Sequence, residues 1–83
     1  MLETLTALFN GRSIRITSTN ERARAFTGVC KMVRATPGEK NRFEVELENG
    51  QRFGFVPDTV TSDWAEGEMR AFAGGRLKIQ LIQ

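Results

Sequence analysis

Apolar residues recur along the chain with two periods, and the changes between them mark the elements. Leu2, Leu5, Leu8 and Phe9 stand at i, i+3, i+6 and i+7, one face of a short helix. Asn10-Gly11 follows and supplies the left-handed residue on which helices often stop. A helix this short is marginal alone, so it must dock on an apolar surface. From Ser13 the period drops to two. Ile14 and Ile16 alternate with Arg15 and Thr17, which predicts a half-buried strand. Ser18-Thr19-Asn20-Glu21 reads as a turn. A longer strand-like stretch runs from Arg22 to Thr36, with Gly28 near its middle where a bend or bulge is expected. Pro37 to Asn41 is the clearest loop.

The central hairpin allows a test of register. Phe43, Val45 and Leu47 alternate with Glu44, Glu46 and Glu48, and Asn49-Gly50 precedes Gln51 to Val56. A two-residue Asn-Gly turn would set Leu47 against Arg52 and Glu46 against Phe53, mixing charge and apolar surface on both faces. A three-residue loop, Glu48-Asn49-Gly50, instead pairs Val45 with Phe53, Phe43 with Phe55 and Glu46 with Arg52. That register buries one face, sets opposite charges across the other, and makes Gly50 the left-handed bulge residue after a type I turn. After Pro57-Asp58 the pattern divides. Asp63-Trp64-Ala65-Glu66 has the spacing of a capping box, and Ala65, Met69, Phe72 and Ala73 recur at helical spacing up to Gly74-Gly75. The opposing reading pairs 68–73 with 76–82 as a hairpin across the same glycines, and Gly67 weighs against the helix. The helix is the favoured reading. Leu77, Ile79 and Leu81 then alternate with Lys78 and Gln80, a strand under either reading.

The 83 residues suffice for one small domain, 1–83, and no apolar run approaches the length of a membrane span. The first eleven residues carry Glu3 and no basic side chain, unlike a secretory signal. Histidine is absent and Cys30 is the single cysteine, which excludes histidine chemistry, an internal disulfide and a cysteine-cluster zinc site. The expectation is a cytoplasmic, cofactor-free chain without a metal site. Net charge is +2 but uneven: residues 1–36 hold six basic side chains against two acidic ones, and the remainder six against eight. The first half therefore suits an anionic partner.

The predicted order is helix, four strands, helix, strand. Many short, glycine-marked strands in so small a chain suggest a barrel that closes on itself. Leu2-Leu5-Leu8, Ser13-Ile14-Arg15-Ile16 and Phe26-Thr27-Gly28-Val29 resemble the helix, first strand and glycine-bearing second strand of the Sm/Hfq group of small barrels. The resemblance implies a mainly β fold: a strongly bent, five-stranded SH3- or Sm-like barrel with a short N-terminal helix and a helix before the last strand. It also implies RNA binding and assembly into rings through edge strands. Arg34 to Asn41 stands where that family has an Asp-x-Phe-x-Asn-type loop, and its Tyr-Lys-His segment has no counterpart, so no uridine-pocket residue carries over. Phe43-Glu44-Val45-Glu46-Leu47-Glu48-Asn49-Gly50 is similar to a hairpin of translation initiation factor one, an RNA-binding OB-fold.

The candidate nucleic-acid-binding set is Arg12, Arg15, Arg22, Arg24, Lys31 and Arg34, on strands expected to be neighbours. An ordinary solvated face is the competing reading. Phe43, Phe53 and Phe55 fit the core face, which leaves Trp64 as the aromatic most able to stack on a base or to lid the barrel. Glu44, Glu46 and Glu48 form an acidic row suited to solubility, with Arg52 as a partner for Glu46. With Trp64 that row is the candidate protein-binding surface, because a line of carboxylates can occupy a basic nucleic-acid channel. Cys30 reads as core. No nucleophile, base and orienting group can be assembled, so no enzyme is expected. The leading expectation is a non-enzymatic barrel that binds RNA or single-stranded DNA, with the homo-oligomer that the Sm-like resemblance implies. The alternative is a phage- or plasmid-type inhibitor of a host protein complex.

Overall fold

The computed structural model describes residues 1–19, 25–69 and 75–82. Helix α1 (Leu2–Phe9) leads into β1 (Ser13–Ser18), β2 (Phe26–Ala35), β3 (Phe43–Leu47), β4 (Arg52–Val60), β5 (Trp64–Glu68) and β6 (Arg76–Leu81). Each strand pairs antiparallel with the next, and β6 returns to β1 to close a barrel. Across the closing seam Ile14 faces Leu81 and Ile16 faces Ile79. Closure through β1 and β6 takes up edges that an open sheet would expose. No helix of the described residues is long and apolar enough to cross a membrane.

The helix forms where its spacing places it and packs on the barrel through Leu5, Leu8 and Phe9, while Leu2 stays at the surface. Gly11, at φ +76°, turns the chain directly into the sheet. Its N–H donates to the Cys30 carbonyl at 2.8 Å, and the Cys30 N–H donates to the Arg12 carbonyl at 2.9 Å. Inside the barrel lie Ile14, Ile16, Cys30, Val45, Leu47, Phe55, Ala65, Leu77 and Ile79. Phe53 is half-buried and meets Phe26 with ring centroids 5.4 Å apart. The hairpin has the predicted register: Phe43 opposes Phe55, Val45 opposes Phe53 and Glu46 opposes Arg52. Its loop closes with the Gly50 N–H on the Leu47 carbonyl at 3.0 Å, and Gly50 stands at φ +93°.

Three expectations are corrected. The bulge of β2 falls between Cys30 and Met32, not at Gly28. Gly28 instead pairs with Ile14, and a Cβ there would come within 3.0 Å of the Leu47 side chain. Second, β4 does not stop before Pro57-Asp58 but bulges between Pro57 and Thr59 and continues to Val60. A bulge is where a strand tolerates proline, which has no N–H to give the ladder.

Third, the barrel has six strands rather than five, because the segment expected to begin a helix at 63 forms β5. Trp64, Glu66 and Glu68 face outward while Ala65 and Gly67 are buried. At Gly67 a Cβ would lie 2.0 Å from the Val56 carbonyl oxygen, so β4 approaches there as only glycine permits. The expected capping aspartate does not cap a helix. The Thr61 hydroxyl accepts the N–H groups of Asp63 (3.3 Å) and Trp64 (3.1 Å), and the Asp63 carbonyl accepts the Leu81 N–H at 2.9 Å. β5 pairs with β6 from Trp64–Gln80 to Glu68–Arg76, so the opposing hairpin reading had the right partner strand but too late a start. Arg70 to Gly74, where both readings placed further structure, lie outside the described residues, as do Asn20 to Arg24.

Candidate nucleic-acid interface

The barrel's outer surface divides into two halves of different character. Over β2, β3 and β4, opposite charges are matched at close range. Glu46, only 8% exposed, is ringed by Arg34 through Nη2, by Lys31 at 3.5 Å and by Arg52 at 3.4 Å. Arg34 Nε also lies 3.3 Å from Glu44, and Arg42 lies 3.5 Å from Glu39. Burial alone would raise the Glu46 carboxyl, but the charges of Arg34, Lys31 and Arg52 outweigh it and hold the group below its ordinary range. Two of the expected phosphate-binding cations, Lys31 and Arg34, are thus committed to carboxylates. Two members of the acidic row, Glu44 and Glu46, are in turn committed to cations, while Glu48 is exposed at the hairpin loop.

The other half is built by β1, β6 and β5. Each alternates a buried apolar or small residue with an outward one, and the ladder sets the outward residues in rows. Arg15 is paired with Gln80, and Gln80 with Trp64. In the next row Thr17 is paired with Lys78, and Lys78 with Glu66. Lys78 reaches back so that its Nζ lies 4.7 Å from the centroid of the Trp64 ring, a cation–π contact on a half-buried indole. Two shallow depressions mark the seam. One of about 210 Å³ is lined by Arg15, Gln80, Leu81 and Ile82. The other, about 190 Å³, is lined by Thr17, Ser18 and Thr19 of the β1 end together with Glu66, Arg76, Leu77 and Lys78.

The chain matches no family model, no curated protein and no solved structure.

Charge on this half is sorted by strand. Arg15 on β1 and Lys78 on β6 have no ion pair with a carboxylate of the described residues. Arg76 is committed, donating from Nη2 to Asp58 and from Nε to Glu66, each at 2.8 Å. The Asp58 hydrogen bond, then that of Glu66, raises the Arg76 pKa, and the same contact lowers the Asp58 carboxyl. Carboxylates collect towards β5, as Glu66 and Glu68, and across its ladder at Asp58 of β4.

The expected basic set is therefore divided. Arg15 lies on the open half, Arg12 is exposed at the entrance to β1, Lys31 and Arg34 belong to the matched half, and Arg22 and Arg24 lie outside the described residues. Lys78 and Gln80 were missed as site residues. Their alternation with Leu77, Ile79 and Leu81 put them on an outward face, but assigning Trp64 to a helix hid its pairing with their strand. Cys30 is fully buried, and burial raises its thiol pKa, with the Met32 backbone hydrogen bond opposing, so it is no nucleophile at neutral pH. The described residues hold no group of three or more Cys, Asp or Glu that would bind a metal ion.

Proposed function

We propose that the protein binds single-stranded nucleic acid across the outer surface of β1, β6 and β5. One observation carries the reading: the chain's one tryptophan stands on that surface, with Lys78 against its ring and Arg15 in its own row, two cations not neutralised by described carboxylates. Single strands are held by this combination, an aromatic face for a base and cations for the phosphates. A lysine over an indole also stabilises the free protein at an exposed site by only about 0.5–1 kcal/mol. A stacked base, worth about 1–3 kcal/mol, can therefore displace the ammonium, which then reaches a neighbouring phosphate. The surface leaves the matched half as a solvated, stabilising face.

Fluorescence anisotropy of labelled single strands across a salt series tests this. With Arg15 and Lys78 as the phosphate contacts, the slope of log K against log salt is expected near −1.4, about −0.7 for each contact. Trp64→Ala should weaken binding by about 1–3 kcal/mol and leave that slope unchanged. Arg15→Ala and Lys78→Ala should each make the slope shallower, and Lys31→Ala should alter neither quantity. Equal affinity of wild type and Trp64→Ala would overturn the assignment. Absence of binding at low salt would discard nucleic acid as the ligand.

A further inference from the structure

Glu66 is a carboxylate in a place where a polyanion is proposed to lie, and its position gives it a task. It follows Trp64 by two residues on the same outward face of β5, about 7 Å along the strand. Its Oε2 accepts Arg76 Nε at 2.8 Å, while Oε1 accepts no hydrogen bond from the described residues. Its row partner is Lys78, and both line the depression of about 190 Å³. The cations of the seam lie on β1 and β6, and the carboxylates towards β5. A strand on this face therefore runs its phosphates over β1 and β6 and turns its bases towards β5. A base stacked on Trp64 then presents its hydrogen-bonding edge towards Glu66.

We infer that Glu66 reads that edge and favours a base carrying an exocyclic amino group, cytosine over thymine. The inference rests on the nucleic-acid reading of the same surface. Cytosine offers the N4 amino group as a donor, and carboxylates accept from it. Thymine and uracil place the O4 acceptor at the same position, where it would face the Oε1 lone pairs with no proton between them. Rejection thus comes from a repulsive contact as well as from a missing bond. Arg76 Nε takes the other carboxylate oxygen, Oε2, and leaves Oε1 to the base.

The test is the affinity of labelled oligo-dC and oligo-dT nonamers, equal in sugar, length and charge, at one low salt concentration and neutral pH. Wild type should bind oligo-dC about tenfold more tightly. Glu66→Gln should remove the difference, because an amide can donate to O4 as readily as it accepts from N4. Asp58→Asn, which disturbs the same arginine away from the base, should keep it. Equal binding of the two strands by wild type, or a preference that survives Glu66→Gln, would overturn the role of Glu66 and leave the Trp64 surface standing. Failure of both strands to bind would overturn the two readings together.

Discussion

Two glycines inside the barrel look alike in the sequence and differ in what surrounds them. A Cβ at Gly67 would sit 2.0 Å from a backbone oxygen that cannot move without parting β4 from β5. A Cβ at Gly28 would meet the end of the Leu47 side chain at 3.0 Å, and a leucine can turn away. Gly67→Ala is therefore expected to cost about 3 kcal/mol, the upper end of ordinary overpacking, and Gly28→Ala less than about 1 kcal/mol. Urea denaturation of the two variants checks the order, and equal losses would contradict it. The sequence could not separate the two, because each distance depends on a neighbouring strand. The residues that alternate in bulk were legible: Ile14, Ile16, Phe43, Val45, Phe55, Leu77 and Ile79 all face inward as their period of two requires.

The elements show why one hairpin could be read and the next could not. At Glu48-Asn49-Gly50 two registers competed, and large side chains on one face and charges on the other excluded the tighter turn. Gly50 adopts φ +93° with nothing within 4 Å of its would-be Cβ, so Gly50→Ala isolates the backbone cost. A loss of about 1–2 kcal/mol is expected from the left-handed conformation alone. Thermal denaturation reads it, and an unchanged midpoint would argue against the three-residue loop. In β5 the inward residues are Ala65 and Gly67, too small to reveal a strand period, whereas Asp63 and Glu66 mimic a capping box. The same misreading concealed the candidate site, since Trp64 meets Lys78 and Gln80 only when its segment is a strand. Two of the six expected basic residues meet a different circumstance: Lys31 and Arg34 do face outward, but Glu44 and Glu46 of the adjacent strand pair with them.

At the scale of the molecule, the ion pairs of both halves tie stability to pH. The Glu46 and Asp58 carboxyls are held below their ordinary values in the folded chain. Groups depressed in this way stabilise the fold above their unfolded pKa, about 4, and that contribution is lost as pH falls through the lower, folded values. The melting temperature should therefore be flat near neutrality and drop as pH is lowered from about 5 towards 2. Glu46→Gln should be less stable at neutral pH, with a shallower acid limb, and an acid limb identical to wild type would remove Glu46 from its cause. The other half of the barrel is the half we propose for the ligand. Because Trp64 is the only tryptophan, its emission reports that surface alone. Titration of unlabelled single strands into the protein at low salt should shift or quench that emission to saturation, and added salt should reverse the change. A saturating strand that leaves the Trp64 emission untouched would contradict the proposed binding face.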